Sequence, residues 1–183
     1  MEKAASIFLR SEIWPEDVRQ MIRWLRSSRV TRYLHEDSGT ADALVRLLDE
    51  VPAELLTCHF NQRGRFFLIC RGEEDSIGFI RMQEQTECGH REIVFAIGED
   101  ALWGNGYGTQ AVEAAERLAF LDWRCRKLTA KIYHGNLRSV NTVRCCGFAL
   151  ERRSEKLDCY SITLDESLRF LRAAPVLRGQ SIS

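Results

Sequence analysis

The sequence predicts a single α/β domain: a mixed, mostly antiparallel sheet of about six to seven strands flanked by helices. Three observations carry that expectation. The chain has 183 residues, the size of one ordinary domain. Apolar residues make up 45% and charged residues 28%, the balance of a globular protein and not of a fibrous or disordered one. Strand-length apolar runs, some joined by hairpin turns, interleave with stretches of helical period. The domain is expected over 1–174, with a frayed tail over 175–183 from Pro175 onward.

The elements follow in order. Ile7 to Arg10 reads as a first strand. Pro15 with Glu16 and Asp17 marks a helix start, and Val18, Met21, Ile22 and Leu25 recur on one helical face. A second helix is predicted from Thr40 as N-cap through Leu44, Leu47, Leu48 and Val51, ending at Pro52. Phe66 to Cys70 and Ile77 to Met82 then form a hairpin across the polar turn Gly72-Glu73-Glu74-Asp75. Glu92 to Ile97 is a third strand of this group, with Ile93, Phe95 and Ile97 on one face and Glu92 on the other. A long helix follows through Leu121, its buried stripe Ala111, Ala115, Leu118 and Ala119. Leu128, Ala130 and Ile132 alternate in another strand, and Ser139 to Cys146 is a short helix closed by Gly147. A final hairpin, Leu150 to Glu155 and Cys159 to Leu164, precedes a helical run over Asp165 to Arg172. Trp14, Trp24 and Phe120 are assigned to the core.

The segment Gly104-Asn105-Gly106-Tyr107-Gly108-Thr109 between strand and helix is the most informative. Glycines let the backbone approach a ligand closely, and the first amides of a helix have no intrahelical acceptor. With the helix dipole they make an anion site suited to a diphosphate. A P-loop would place Lys-Ser/Thr after its last glycine, whereas Thr109-Gln110 follows here. A dinucleotide fingerprint needs G-x-G-x-x-G at the start of a βαβ unit, and this G-x-G-x-G follows a β-meander.

Glu92-Ile93-Val94-Phe95-Ala96-Ile97 with Leu102-Trp103-Gly104-Asn105-Gly106-Tyr107-Gly108 resembles the central motif of the GNAT superfamily. Asn136-Leu137-Arg138-Ser139-Val140-Asn141, ending in Cys146-Gly147-Phe148, is similar to that family's second signature. The resemblance extends over residues 5–165 and is nearest to the ribosomal-protein N-terminal acetyltransferase-like branch, although the wider superfamily has Arg or Gln where Trp103 stands.

The resemblance implies an N-acetyltransferase with acetyl-CoA as co-substrate and an amine acceptor, reacting by direct attack in a ternary complex. It implies a sheet splayed at the acyl-CoA site, with the pantetheine arm along Phe95, Ala96 and Ile97 and the amides of Trp103, Gly104, Asn105, Gly106, Tyr107, Gly108 and Thr109 on the diphosphate. A backbone N–H on that strand would polarise the thioester oxygen. Asn136 matches the pantetheine-contacting Asn and Ser139 a residue near the departing sulfur. Glu92 resembles the strand carboxylate used as base, its alternative being a surface residue paired with an arginine. A base matters most for a lysine-like amine of pKa ~10.4, of which only ~1 part in 10³ is free at pH 7, a penalty of about 4–5 kcal/mol. Ser139 is the first donor for the leaving thiolate, its other role being the cap of the following helix, with Tyr160, Tyr133 and His134 as alternatives. A non-catalytic acyl-CoA-binding module would keep the glycine loop but need neither Glu92 nor Ser139.

Other classes are disfavoured. Lys+Arg and Asp+Glu both number 26, so no net field draws the chain to nucleic acid or an anionic membrane. Nothing approaches the ~20 apolar residues that span a bilayer, and the first ten residues are too short and polar for a signal peptide. Seven cysteines without C-x-x-C spacing suggest a reduced, cytoplasmic protein. His35, His59 and His90 lack metal-like partners, Cys88 beside His90 included, so no metal is expected. The oligomeric expectation is a monomer or homodimer.

Overall fold

The computed structural model, which describes residues 6–34, 39–72 and 75–178, opens with a strand and four helices: Ile7–Arg10 (β1), Pro15–Arg26 (α1), Ser28–Thr31 (α2), Thr40–Glu50 (α3) and Leu56–Phe60 (α4). An antiparallel meander follows, Arg65–Arg71 (β2), Asp75–Glu84 (β3) and His90–Ile97 (β4). After the glycine loop come Tyr107–Arg117 (α5), Lys127–Tyr133 (β5), Leu137–Cys145 (α6), Ala149–Arg153 (β6), Leu157–Thr163 (β7) and Leu164–Arg178 (α7). Met1 to Ala5, His35, Glu73 and Glu74 of the expected turn, and residues 179–183 of the expected tail lie outside the described residues.

The seven strands form one sheet in the order β1-β2-β3-β4-β5-β7-β6, and β4 with β5 is its parallel pair. Register sorts the side chains by face. Leu68, Phe79 and Ala96 align on the face under α1 and α3, while Phe67, Ile80 and Phe95 align on the face under α5 and α6. Each face buries its own apolar cluster. Val18, Met21 and Trp24 of α1 pack on the first, and Val112, Ala115, Val140 and Val143 on the second. Burial of this kind, at roughly 25 cal/mol per Å² of apolar surface, is what holds helices of such modest length in place.

Several elements differ from expectation. Gly39, not Thr40, takes the N-cap position of α3, and Ala43 N–H reaches its carbonyl at 2.9 Å. α5 begins at Tyr107, two residues before Thr109, because Gly106 at φ 81° turns the chain directly into the helix. Its end is a π turn, Leu118–Asp122. α7 runs through Pro175 to Arg178, so that proline forgoes one helical hydrogen bond without ending the helix. Trp24 and Phe120 are buried, whereas Trp14 is 50% exposed with the Arg10 guanidinium 4.0 Å from its ring centroid. That guanidinium also forms a buried 2.7 Å ion pair with Asp17, whose other oxygen accepts the Trp14 amide. The α5 stripe holds Ala111, Ala115 and Ala119 as expected, with Val112 and the carboxylic acid Glu116 in place of Leu118.

Candidate active site

β4 and β5 pair only at His90–Lys127, Arg91–Leu128 and Glu92–Thr129, although β4 continues to Ile97 and β5 to Tyr133. Beyond Glu92 the strands part, leaving the β5-facing edge of Val94 to Ile97 without a ladder. A cavity of ≈ 630 Å³ fills that gap, lined by Phe95, Ala96 and Ile97, the glycine loop, and Asn136 and Ser139 of the α6 entrance. An unpaired strand edge inside a cavity offers main-chain donors and acceptors to an extended ligand.

The loop supplies more donors. Gly104 and Gly106 adopt φ 83° and 81°, a left-handed backbone natural only to glycine, and a Cβ at either would meet nothing within 4 Å. These glycines are therefore required by conformation, not by crowding. The amides of Gly104 to Thr109 meet no backbone acceptor among the described residues, and the first helical bond of α5 runs from Gln110 N to Gly106 O at 3.1 Å. The Trp103 amide differs from expectation: it donates to Asp100 O at 3.1 Å and is already used. Its indole instead frames the site, donating from Nε1 to Ile97 O at 2.8 Å. The Arg138 guanidinium lies 3.5 Å from the ring centroid and that of Arg29 lies 5.6 Å away. Arg29 is also paired with Asp100 at 2.5 Å. Asn105 turns aside, its Nδ2 donating to Leu102 O at 3.2 Å, and does not line the cavity.

The α6 entrance is organised by Asn136, which caps the helix by accepting the Ser139 amide on Oδ1 at 3.2 Å. Ser139 is thus in the first turn and is not the cap. Gly108 sits where a Cβ would lie 3.5 Å from Thr142 Oγ1, so α5 and α6 approach closely beside the cavity. On the buried face of α5, Glu116 is 7% exposed with Oε1 unpartnered, and burial raises its pKa to about 8. Burial likewise pushes the neighbouring Cys146 thiol well up.

The opposite end of β4 carries Glu92. Its Oε2 accepts from Lys131 Nζ at 2.5 Å and from Gln85 Nε2 at 3.3 Å, and the carboxylate is 15% exposed on the cavity wall. The partner cation is a lysine of β5, not an arginine. At the other end of the strand, a Cβ on Gly98 would stand 2.1 Å from the Trp24 indole, whose Nε1 donates to Glu99 at 2.8 Å. Helix α1 is thereby seated directly on the chain leaving β4.

Comparison with known proteins matches residues 8–149 to the acetyltransferase (GNAT) domain family. The chain belongs to the GNAT acetyltransferase family. No curated protein sequence matches it. Solved structures share its fold at low identity. An aminoglycoside acetyltransferase with coenzyme A and kanamycin is 20% identical, with TM-score 0.72 over 90% of this chain and 98% of that one. Spermidine N-acetyltransferase from Vibrio cholerae with CoA and spermine is 18% identical, with TM-score 0.71 over 89% and 98%. A domain from Methanocaldococcus jannaschii is 17% identical, with TM-score 0.69 over 87% and 99%.

Within this GNAT domain the expected site residues do not all converge. Tyr160 is 3% exposed in the core, aligned with Ala130 and Leu150 and not among the cavity residues. His134 pairs with Asp158 at 3.1 Å outside the cavity, and Tyr133 does not line it either. Sequence reasoning missed Tyr33, Arg81, Gln83, Lys131 and Arg138, all on the cavity wall. Lys131 carried a usable signal, since strand alternation puts it on the face of Thr129, the register partner of Glu92. Among the described residues no three His, Cys, Asp or Glu side chains converge as a metal set. No helix among them is long and apolar enough to cross a membrane.

Proposed function

We propose that this protein transfers the acetyl group of acetyl-CoA to a primary amine by direct attack in a ternary complex. The cleft between β4 and β5, bordered by the unpaired amides of Gly104 to Thr109, carries the reading. Those amides and the dipole of α5 suit a diphosphate. The ladder-free edge of Phe95 to Ile97, on which only the Ile97 carbonyl is already taken by the Trp103 indole, suits the amide-bearing pantetheine arm, and a strand N–H there polarises the thioester oxygen. Asn136 spends Oδ1 on its cap, which leaves its Nδ2 to donate to the same arm.

The amine nitrogen forms a bond to the thioester carbon as the C–S bond breaks and its electron pair passes to sulfur. The proton shed by nitrogen balances the one that turns thiolate into thiol. Glu92, on the wall with one oxygen held by Lys131, is positioned to take the amine proton, and the Ser139 hydroxyl at the α6 entrance is the donor toward sulfur. Tyr160 has no part in this scheme, being buried away from the cavity.

The acceptor falls in the range of the branch the sequence resembles, from a protein N-terminus to a small-molecule amine. Acetyl-CoA is made inside cells, and cysteines without disulfides suit that reducing compartment. Thiol release from acetyl-CoA with a panel of amines tests the activity. At ~100 Kd of CoA the protein should gain about 2.7 kcal/mol of stability, and the absence of any melting shift would sink the assignment. The engagement of Glu92 by Lys131 favours a second reading, a non-catalytic acyl-CoA-binding module. Tight CoA binding with no turnover of any amine would select it.

A further inference from the structure

Among the described residues the lysines are Lys127, Lys131 and Lys156, and of these Lys131 lines the cleft. Lys127 is bound to Glu151 at 2.5 Å outside it, and Lys156 is exposed in the turn between β6 and β7. Lys131 Nζ donates to Glu92 Oε2 at 2.5 Å, so a primary amine already stands on the carboxylate positioned to take an amine proton. Its place along the sheet matters as much. β4 and β5 run parallel and last pair at Glu92–Thr129, which puts Lys131 two residues further, ~7 Å along, opposite Val94 where the strands have parted. Val94 directly precedes the edge of Phe95 to Ile97 and lines the same cavity.

The ion pair is one that the amine can leave. The Lys131 side chain is 39% exposed, and a pair so open to water is held weakly. Its four-carbon stem is flexible, so the nitrogen swings from Glu92 toward the strand edge without moving the backbone. Gln85 Nε2, 3.3 Å from the same carboxylate oxygen, stays on Glu92 when Lys131 departs. The tether also removes a binding step, since a group on a short flexible stem meets its target at an effective concentration on the order of mM.

We propose that Lys131 is an acceptor in cis, its Nζ acetylated by the acetyl-CoA held in the same cleft. The inference rests on the transferase reading above. Lys131 passes one proton to Glu92, and the freed electron pair forms the N–C bond to the thioester carbon. The C–S bond breaks with its pair passing to sulfur. A second proton leaves nitrogen as the amide forms and balances the one that turns thiolate into thiol, while Glu92 returns the first to water. The product is a neutral amide, so Glu92 loses its cationic partner and is left to an external amine.

The test is mass spectrometry of the unmodified full chain, intact and as mapped peptides, after incubation with acetyl-CoA and no added amine. One acetyl group per chain should enter at Lys131, about tenfold or more faster than at Lys127 or Lys156, at a rate independent of protein concentration. Desulfo-CoA, which lacks the reacting sulfur, should suppress the labelling by competing for the cleft. Glu92→Gln should slow it about 10- to 100-fold. Lys131→Arg, which keeps a cation for Glu92, should lose the release of one thiol per chain seen without added amine. The peptide map of the unmodified chain carries the test even if a variant fails to fold. Equal labelling of the three lysines, labelling indifferent to desulfo-CoA, or a rate that rises with protein concentration overturns the proposal. So does a chain with no acetyl group at Lys131, and if that chain still acetylates added amines the transferase reading stands without it. Loss of CoA binding by calorimetry removes the transferase reading and this inference together.

Discussion

The two sides of the cleft are made differently. On the α5 side the groups bordering it are backbone amides without backbone acceptors, from one continuous stretch, Gly104 to Thr109, set by two left-handed glycines. On the β3 side they are side chains from separate elements, Arg81 and Gln83 beside Glu92 and Lys131, brought together by strand register. The first kind of surface depends on conformation and tolerates most side-chain changes nearby. The second depends on long-range pairing, so its chemistry can be altered one residue at a time without disturbing the loop.

Substitutions put that contrast to the test. The largest expected effect is on the backbone-built side: Gly106→Val forces a β-branched residue to φ 81°, and at about 1–3 kcal/mol of strain plus a displaced amide should weaken CoA binding ~100-fold by calorimetry. Retained affinity would mean the amides are not what holds the diphosphate.

Next comes Glu116, on the buried face of α5. Its folded pKa of about 8 lies above the unfolded carboxylate value of 4.5, so the folded state holds the proton more tightly. Its contribution is therefore fully present below pH 4.5 and is lost as pH rises toward 8. Glu116→Gln, which stays neutral, should add on the order of 3 kcal/mol at pH 9 and little at pH 5 in denaturant melts. A gain that does not grow with pH would show the acid to be solvated.

On the side-chain-built side, Glu92→Gln should lower kcat about 10- to 100-fold for amines of pKa near 10 and much less for α-amines, with KM for acetyl-CoA unchanged. Equal losses for both amine classes would assign Glu92 to support of Lys131 instead. The smallest effect is that of Arg138→Ala. Removing a cation stacked 3.5 Å over Trp103 at the loop should weaken CoA about 5-fold at low salt and less at high salt.

The same contrast explains what could be read from the sequence. The loop was legible because glycines at that spacing have few reasons to exist other than backbone conformation, and because Ile93, Phe95 and Ile97 alternate plainly before it. The elements carrying it came out within a few residues, apart from the early start of α5. The pairing of Glu92 with Lys131 was not legible, since it requires knowing that two strands 39 residues apart lie side by side in parallel. Tyr160 misled because phenol chemistry fits a thiolate donor, but it sits on the core-facing side of β7, while its neighbour Ser161, aligned with Thr129, takes the other face. Asn136 caps α6 in place of Ser139 because either residue type makes a good cap, and only the observed hydrogen bond decides between them.

Gly98 has a wider consequence. The Trp24 indole fills the space its side chain would need, so a shift of α1 is felt directly at the end of β4. Helix α1 and the end of β4 beside the cleft are therefore packed against each other. If the first substrate to arrive moves α1 or the β4 end, it resets the other's affinity, and thermodynamic reciprocity makes that factor identical whichever order the two molecules follow.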